Sequence, residues 1–438
     1  MYSHLNASVA CLGRRIEKSK TLATVLLLTM AFLVSGTTAA RAATLYVGPA
    51  SSGIGANTGC TSVGYTSVQA AVNAAAPGDT VYLCGTTPFA EQVIINKTLT
   101  LTGDDGATIQ APTTFSTPLS SLPPQFGADG LNIPQAIVIV WGAGVTATIS
   151  NLVITGPLPG NASCSDDEFG VLDIAGGTVS LVGDTVENIH DTDSALYGCQ
   201  FGVGVQIGRR YWPNLSSYRV ENFVGYASIT NTTISGYQKN GISVDGPGSN
   251  ATISNDTIEG SNRDNFFSPI IAQNGIQISR GAGGQVRKST ISGNTYTGEA
   301  PATATGVLIY GGCGDPLVTG VQVMDNTLTN NDQGIALIDM DATCATYPST
   351  MTNDKAVNNT ITNDQVSNSG PFTLGTVTYD GYQSAIEDIG NNDKVINNDI
   401  SGAGYVPSQT VAGGPYVGAI DTTTFPTSGA KVHANASK

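Results

Sequence analysis

From Gly170 onward the chain repeats one hydrophobic pattern, a small residue followed by apolar positions that alternate with variable ones. GVLDI begins at Gly170, GVQI at Gly204, GISV at Gly241, GIQI at Gly275, GVLI at Gly306, GIAL at Gly334 and AIEDI at Ala385. A period of two predicts strands with one face buried and the other free. A second pattern, apolar-x-Asn-x-x-apolar, runs from Ile149 to Ile154 through Asn151, and recurs through Asn231, Asn255 and Asn397. Asp325 or Asn358 takes the polar position in variants, and Lys288 takes it once. The second pattern starts at residues 149, 181, 229, 253, 286, 323, 356 and 395, and the gap of 48 after 181 is long enough for two turns of chain.

Each unit is too short and too polar to bury a core alone, so neighbours must stack. The expected fold class is therefore all-β, a right-handed parallel β-helix with a short amino-terminal capping helix. Its hand follows from the twist preference of parallel crossovers. The repeat asparagines belong at bends between strands, where a short amide tolerates left-handed backbone and reaches the neighbouring coil.

The ends of the chain divide it further. Arg14, Arg15, Lys18 and Lys20 precede an apolar run from Leu22 to Val34 and the small-residue sequence Ala40-Arg41-Ala42. That order reads as a secretory signal peptide over residues 1–42, with no permanent membrane span and a secreted, monomeric mature protein. The β-helix is expected over 43–402. Residues 403–438, rich in Gly, Pro, Thr and Ala, read as a low-complexity tail or loose cap. Within the amino-terminal part, Ser67 to Ala76 predicts a helix capped by Ser67 and stopped by Pro77-Gly78.

Charge narrows the partners. The net charge is −15, and residues 43–438 hold 13 basic and 32 acidic residues, a net charge of −19. Such a surface excludes nucleic acid. It also disfavours polyanionic sugars unless calcium or a local arginine cluster reverses the field. Six cysteines follow residue 42, an even number that predicts disulfides in an exported chain. Of 15 possible pairings the sequential one is preferred: Cys60 with Cys84, Cys164 with Cys199, and Cys313 with Cys344.

The amino-terminal segment SVQAAVNAAAPGDTVYLC, then EQVIINKTLTLTG, then the G-I-x-I and N-x-x-I-x-G repeats to about Gly402, resembles the right-handed parallel β-helix proteins of the pectin lyase-like superfamily. The resemblance covers roughly four-fifths of the chain and implies a helix that plugs the open end of the stack. It implies little about function, because that superfamily includes polysaccharide lyases, glycoside hydrolases, epimerases, esterases and adhesins. The Trp-x-Asp-His signature of pectate lyase-like enzymes is absent. So are the Gly-His-Gly motif of polygalacturonase-like hydrolases and the pectin esterase-like motifs. No catalytic residue of those families carries over.

Candidate chemistry must then come from stacking. Equivalent positions on successive turns lie about 4.8 Å apart, and the G-I-x-I strands are followed by Arg209 and Arg210, Asp245, Arg280, Tyr310, and Asp339 with Asp341. Such a column would bind a uronate through Arg209 and Arg280 and move protons through Asp245 and Asp339, with Tyr310 contacting substrate. A ladder of solvated charges pairing across rungs is the competing reading. The insertion at 209–226 adds Tyr211 and Trp212 as faces for sugar rings. Asp166, Asp167 and Glu168, with Asp191 and Asp193, form the candidate calcium set, the competing reading being a hydrophilic loop. Two functional classes stand: a lyase or epimerase acting on acidic, uronate-containing polysaccharide, and a non-catalytic adhesin-like or structural protein that engages surface glycan.

Overall fold

The computed structural model describes residues 41–115, 135–160, 164, 167–213, 218–298, 302–365 and 383–405, with short strands at 372–374, 377–379 and between 410 and 437. Side chains at 212–222 lie outside that description, as do residues 1–40, which carry the expected signal. Among the described residues no helix is long and apolar enough to cross a membrane.

Successive turns each add one strand to three parallel sheets of 12, 10 and 11 strands, the arrangement of a right-handed parallel β-helix. The first sheet carries the leading apolar residue of the asparagine pattern. Ile149 pairs with Leu181, Leu181 with Ile229 and Ile229 with Ile253, and the column continues through Val286, Val323 and Ala356 to Val395. The gap of 48 is thus a single turn. It is long because it holds both the segment 188–202 and an antiparallel hairpin of Arg209–Pro213 with Tyr218–Phe223. The third sheet carries the closing apolar residue, from Ile154 through Val186 and Ile234 to Ile400. These side chains and the apolar residues of the G-I-x-I strands form one continuous buried core.

The asparagine between the first and third sheets is a conformational requirement. Asn151, Asn231, Asn255, Asp325, Asn358 and Asn397 all have φ between 54° and 60°, the left-handed region. Asn and Asp tolerate it because their short polar side chains satisfy local backbone groups. The residue that follows does different work. Asn326, Asn359 and Asn398 stack inside the solenoid, each amide donating to the next amide oxygen at 3.0 and 2.9 Å. The column continues backwards through Ser289, Asp256 and Asp184, whose side chains accept backbone N–H groups of the preceding rung. Each of these buried side chains thereby has a partner on a neighbouring rung.

The small residue opening each G-I-x-I strand is fixed by close approach. A Cβ at Gly204 would lie 2.6 Å from the carbonyl oxygen of Gly241, and one at Gly241 would lie 2.6 Å from that of Gly275.

The amino-terminal helix, α1, spans Val68–Ala74, and Ser67 Oγ accepts the Ala70 N–H. The Glu91 carboxylate accepts the N–H groups of Val68 and Gln69, placing negative charge at the positive end of the helix. The three sequential disulfides are all formed, with Cα separations of 5.4, 5.1 and 4.8 Å. Beyond residue 402 the chain adds a further rung. Ile420–Asp421, Lys431–His433 and Ala436–Ser437 pair in parallel with the last strands of the three sheets. The expected loose tail therefore contributes Ile420 and Val432 in register with Ile386 and Val395. Its Gly- and Thr-rich spacers hide that pattern from the sequence.

Candidate functional site

The outward face of the second sheet is where the turns become chemically specific. The variable residue of G-I-x-I points out of the core, and in register it reads Leu172, Gln206, Ser243, Gln277, Leu308 and Ala336. The three middle turns thus present amide and hydroxyl groups where the flanking turns present apolar ones. These polar positions form the floor of a cleft of about 380 Å³. Asn240 extends the floor, Gln200 and Lys239 stand on one side, and Arg209, Tyr211, Asp245 and Arg280 stand on the other.

Carboxylates hold the arginines in place. Arg209 Nη2 donates to Asp167 Oδ1 at 2.6 Å, and Arg210 Nε donates to Asp315 Oδ1 at 2.8 Å. Arg280 Nη1 donates to Asp245 Oδ1 at 2.8 Å, while its Nε lies 3.5 Å from Asp315 Oδ2. The Tyr211 hydroxyl donates to Asp315 Oδ1 at 2.5 Å, and the Arg280 guanidinium lies over the Tyr211 ring at 5.1 Å. That hydrogen bond, followed by burial, raises the Tyr211 pKa, so the phenol keeps its proton. Asp315 comes from the loop that follows strand Thr305–Gly311 and acts on Arg210 and Tyr211, 105 and 104 positions earlier in the chain. Asp245 is equally committed, accepting from the Arg210 backbone N–H, the Ser279 hydroxyl and Arg280.

Lys239 differs from the arginines. Its Nζ donates to the Ala272 carbonyl at 2.5 Å, and burial pushes its pKa down to about 8. An ammonium in this state loses a proton far more readily than a solvated one.

The structure thus gathers Arg209, Tyr211, Asp245 and Arg280 around one cleft. Tyr310 lies in register with Ser279 on the adjacent rung, half-buried and outside the cleft lining. Trp212 sits in the hairpin opposite Arg219, with its side chain outside the described residues. Asp339 goes elsewhere. Tyr310 pairs with Ile338 and Gly311 with Asp339, so Asp339 is one residue beyond the column position. Arg280 shares that offset but has left its strand at φ 54°, whereas Asp339 is still within the strand Gln333–Asp339, where a single-residue offset reverses the face. Asp339 is accordingly buried, accepts the Val318 N–H at 2.9 Å and belongs to an interior group with Asp354, Asp388 and Asp393. Asp341 is half-buried and closes the turn at Cys344 by accepting the Ala345 N–H.

The acidic loop residues also take separate partners. Asp167 holds Arg209, Glu168 is fully buried, Asp191 accepts the Asp193 N–H at 2.5 Å, and Asp193 caps the 3-10 turn Ser194–Leu196. Asp166 lies outside the described residues. Among the described residues no group of three His, Cys, Asp or Glu side chains is arranged to hold a metal ion.

Sequence reasoning passed over Lys239, Asn240, Gln200 and the three floor residues. The floor residues had a signal in the polar residue inside GVQI, GISV and GIQI, against the apolar one in GVLI and GIAL; Lys239, Asn240 and Gln200 stand outside those motifs. Asp315 had no comparable signal, because its role depends on a loop folding back across two rungs.

Residues 136–350 match a family model described as a right handed beta helix region. Three solved structures align over most of the chain at low identity. An alginate lyase from Paenibacillus is 13% identical with a TM-score of 0.40, covering 82% of this chain and 95% of its own. The GH136 lacto-N-biosidase from Eubacterium ramulus is 13% identical with a TM-score of 0.48, covering 90% and 68%. A mannuronan C-5 epimerase A-module from Azotobacter vinelandii is 16% identical with a TM-score of 0.28, covering 85% and 94%. Comparison with curated protein sequences gives no match.

Proposed function

We propose that this chain, which is a right-handed parallel β-helix repeat protein, binds uronate-containing polysaccharide along the cleft of its second sheet and acts on it as a lyase or epimerase. One observation carries the reading. In a chain of net charge −15, three basic side chains, Arg209, Lys239 and Arg280, line a single polar cleft with Asp245 as its one carboxylate. Two fixed guanidiniums and an amine that exchanges its proton readily, beside a floor of amides and hydroxyls, suit a ligand that carries both carboxylates and hydroxyl groups.

The chemistry follows from placing a uronate carboxylate against Arg280 and Arg209. Neutralising that charge acidifies the adjacent ring C–H. Lys239, as a neutral amine, takes that proton. In elimination the electron pair forms a carbon–carbon double bond, the glycosidic C–O bond breaks, and the departing oxygen receives a proton from Tyr211. In epimerisation no bond to oxygen breaks; Lys239 keeps the proton it took and the Tyr211 phenol delivers its own to the opposite face of the same carbon. Asp245 and Asp315 orient Arg280 and Tyr211 and take no proton themselves.

A non-catalytic glycan binder is the second reading. It is favoured by the full engagement of Asp245, which leaves no carboxylate base in the cleft. Ultraviolet absorbance of pectate and alginate solutions, combined with proton NMR of the ring stereochemistry, separates the two. Unsaturated ends or inverted centres that disappear in Lys239→Met support the enzyme. Retention of polymer with neither product supports the binder. Calcium at the Asp166–Asp193 region is a separate proposal, supported only by the density of carboxylates there. Thermal stability unchanged by calcium and by chelation counts against it.

A further inference from the structure

Beyond the cleft, one exposed group of side chains has no part in the proposed chemistry. Phe266 and Ile270 are 51% and 45% exposed, unusual for large apolar residues in this chain. Phe266 lies beside Tyr197, their ring centroids 5.2 Å apart and their planes inclined by only 34°. Beneath them Phe267 is buried and contacts both, 4.2 Å from Phe266 and 4.8 Å from Tyr197 between centroids. His190 closes the edge at 5.9 Å from Tyr197. At that separation and inclination the two outer rings stack with an offset, so Phe266 presents the open face and Tyr197 and Phe267 back it.

That face is preformed and joined to the cleft. The loop bearing Phe266 is anchored by the Ser268 hydroxyl to the Thr295 carbonyl at 3.2 Å, and by the Thr297 N–H to the Ser268 carbonyl at 2.9 Å. The same loop ends at Ala272, whose carbonyl receives Lys239 Nζ. On the other side, the Gln238 amide donates to the carbonyls of Leu196 and Cys199, which flank Tyr197. Tyr197 is three residues before Gln200, a cleft residue. Both halves of the aromatic face are therefore fixed to Gln238-Lys239, at the rim of the cleft.

We infer that Phe266, backed by Tyr197 and Phe267, forms a stacking subsite for a pyranose ring of the same polysaccharide chain, continuing the cleft past Lys239. The inference rests on the carbohydrate reading of that cleft. Sugar rings present apolar C–H faces that pack on aromatic rings and bury area without needing charge. A single exposed Phe needs no explanation. An exposed ring on an anchored loop, backed by a second ring from a neighbouring segment, with both segments tied to Gln238 and Lys239 beside one cleft, fits a polymer that carries carboxylates and also flat apolar faces. Because the platform has no charge of its own, its contribution resists salt, whereas that of the arginines is screened.

The test is calorimetric titration of the full chain with defined galacturonate and mannuronate oligomers of two to six sugars, and with neutral cello-oligosaccharides of the same lengths. The variants are Phe266→Ala and Tyr197→Leu. Phe266 is half-exposed, so its replacement leaves the fold intact, which circular dichroism checks. The expected result is affinity that increases with oligomer length in the wild type. In Phe266→Ala the longest oligomers lose about three- to tenfold while the disaccharide is unchanged. That loss persists at high salt. Equal affinity of wild type and both variants for the longest uronate oligomers overturns the subsite and leaves the cleft reading intact. Binding of neutral oligomers alone, weakened by Phe266→Ala, keeps the platform and overturns the uronate reading. No binding of any oligomer overturns both.

Discussion

Arg280 reaches Asp245 across 2.8 Å, from the end of one strand to the end of the strand one rung earlier, and its Nε faces Asp315 on the following rung at 3.5 Å. Its backbone adopts φ 54°, and its N–H donates to the Tyr310 carbonyl at 2.8 Å. A long cationic side chain in the left-handed region carries a conformational cost that its surroundings must offset. The carboxylates on either side supply that compensation and set the direction of the guanidinium. Asp245→Asn is expected to lower stability by about 2 kcal/mol, since it weakens a partly buried charge-assisted pair and leaves acceptor contacts mismatched. Asp315→Asn, acting through the longer contact to Arg280, is expected to cost less. Urea denaturation of both variants measures the difference.

A second prediction concerns pH. Asp339, Asp354, Asp388 and Asp393 are buried together in the interior of the last turns, and each accepts a backbone N–H through one carboxylate oxygen. Burial raises all four above the ordinary carboxylate range, with mutual repulsion adding to the effect at Asp339, Asp354 and Asp388. Asp393 is pushed up to about 6 and Asp388 to about 8. A carboxyl with a raised folded pKa keeps its proton after the unfolded chain has lost it. Its contribution is therefore complete below about pH 4 and is lost as pH rises through the folded value. Stability is expected to fall between pH 5 and 8, by about 1.4 kcal/mol per pH unit for each proton involved. Asp354→Asn removes one such group and should flatten the profile, which thermal melts of the two proteins across that range test directly.

Neighbouring asparagines should respond very differently to the same substitution. Asn358 serves the bend through its φ of 58° and is on the solvent side, whereas Asn359 is buried and bonds to Val323, Asn326 and Asn398. Asn358→Ala is expected to cost about 1 kcal/mol. Asn359→Ala leaves several buried donors and acceptors without partners and is expected to cost about 3 kcal/mol. At Lys288, which has φ 51°, replacement by Asn should stabilise the protein by up to about 1 kcal/mol. Denaturation midpoints rank the three.

The glycine column sets a steric limit on the second sheet. Gly241→Ala would bring a methyl group to 2.6 Å from the Gly275 carbonyl oxygen, with Tyr237 and Ile258 also within 3.0 Å. Backbone on one side and packed core on the other leave little room to relax, so a loss of about 3 kcal/mol is expected. Among the described residues from Gly170 onward, the departure from Gly at this position is Ala385, near the end of the stack. A melting temperature unchanged from wild type would contradict the close approach.

The solenoid was legible because its three signals are periodic: apolar alternation, the bend asparagine and the small residue before each second-sheet strand. Ile149 to Val395 align in register as their spacing implied. Loop length was harder to read, since the 48-residue gap contains a hairpin whose strands resemble those of the repeat. The site was legible in part. Arg209, Tyr211, Asp245 and Arg280 follow strand ends and could be stacked from sequence, but Asp339 was misplaced by a single residue, enough to bury it. Lys239 and Asp315 depend on how loops pack, which one-dimensional spacing does not encode.

The most direct test of the central claim is calorimetric titration of wild type and Arg280→Ala with a tetragalacturonate and a tetramannuronate at low and high salt. The account predicts binding by the wild type to at least one of them, weakened by salt and lost by about tenfold or more in the variant. Binding that is absent in the wild type, or equal in the two proteins, would contradict the assignment of the cleft to acidic polysaccharide.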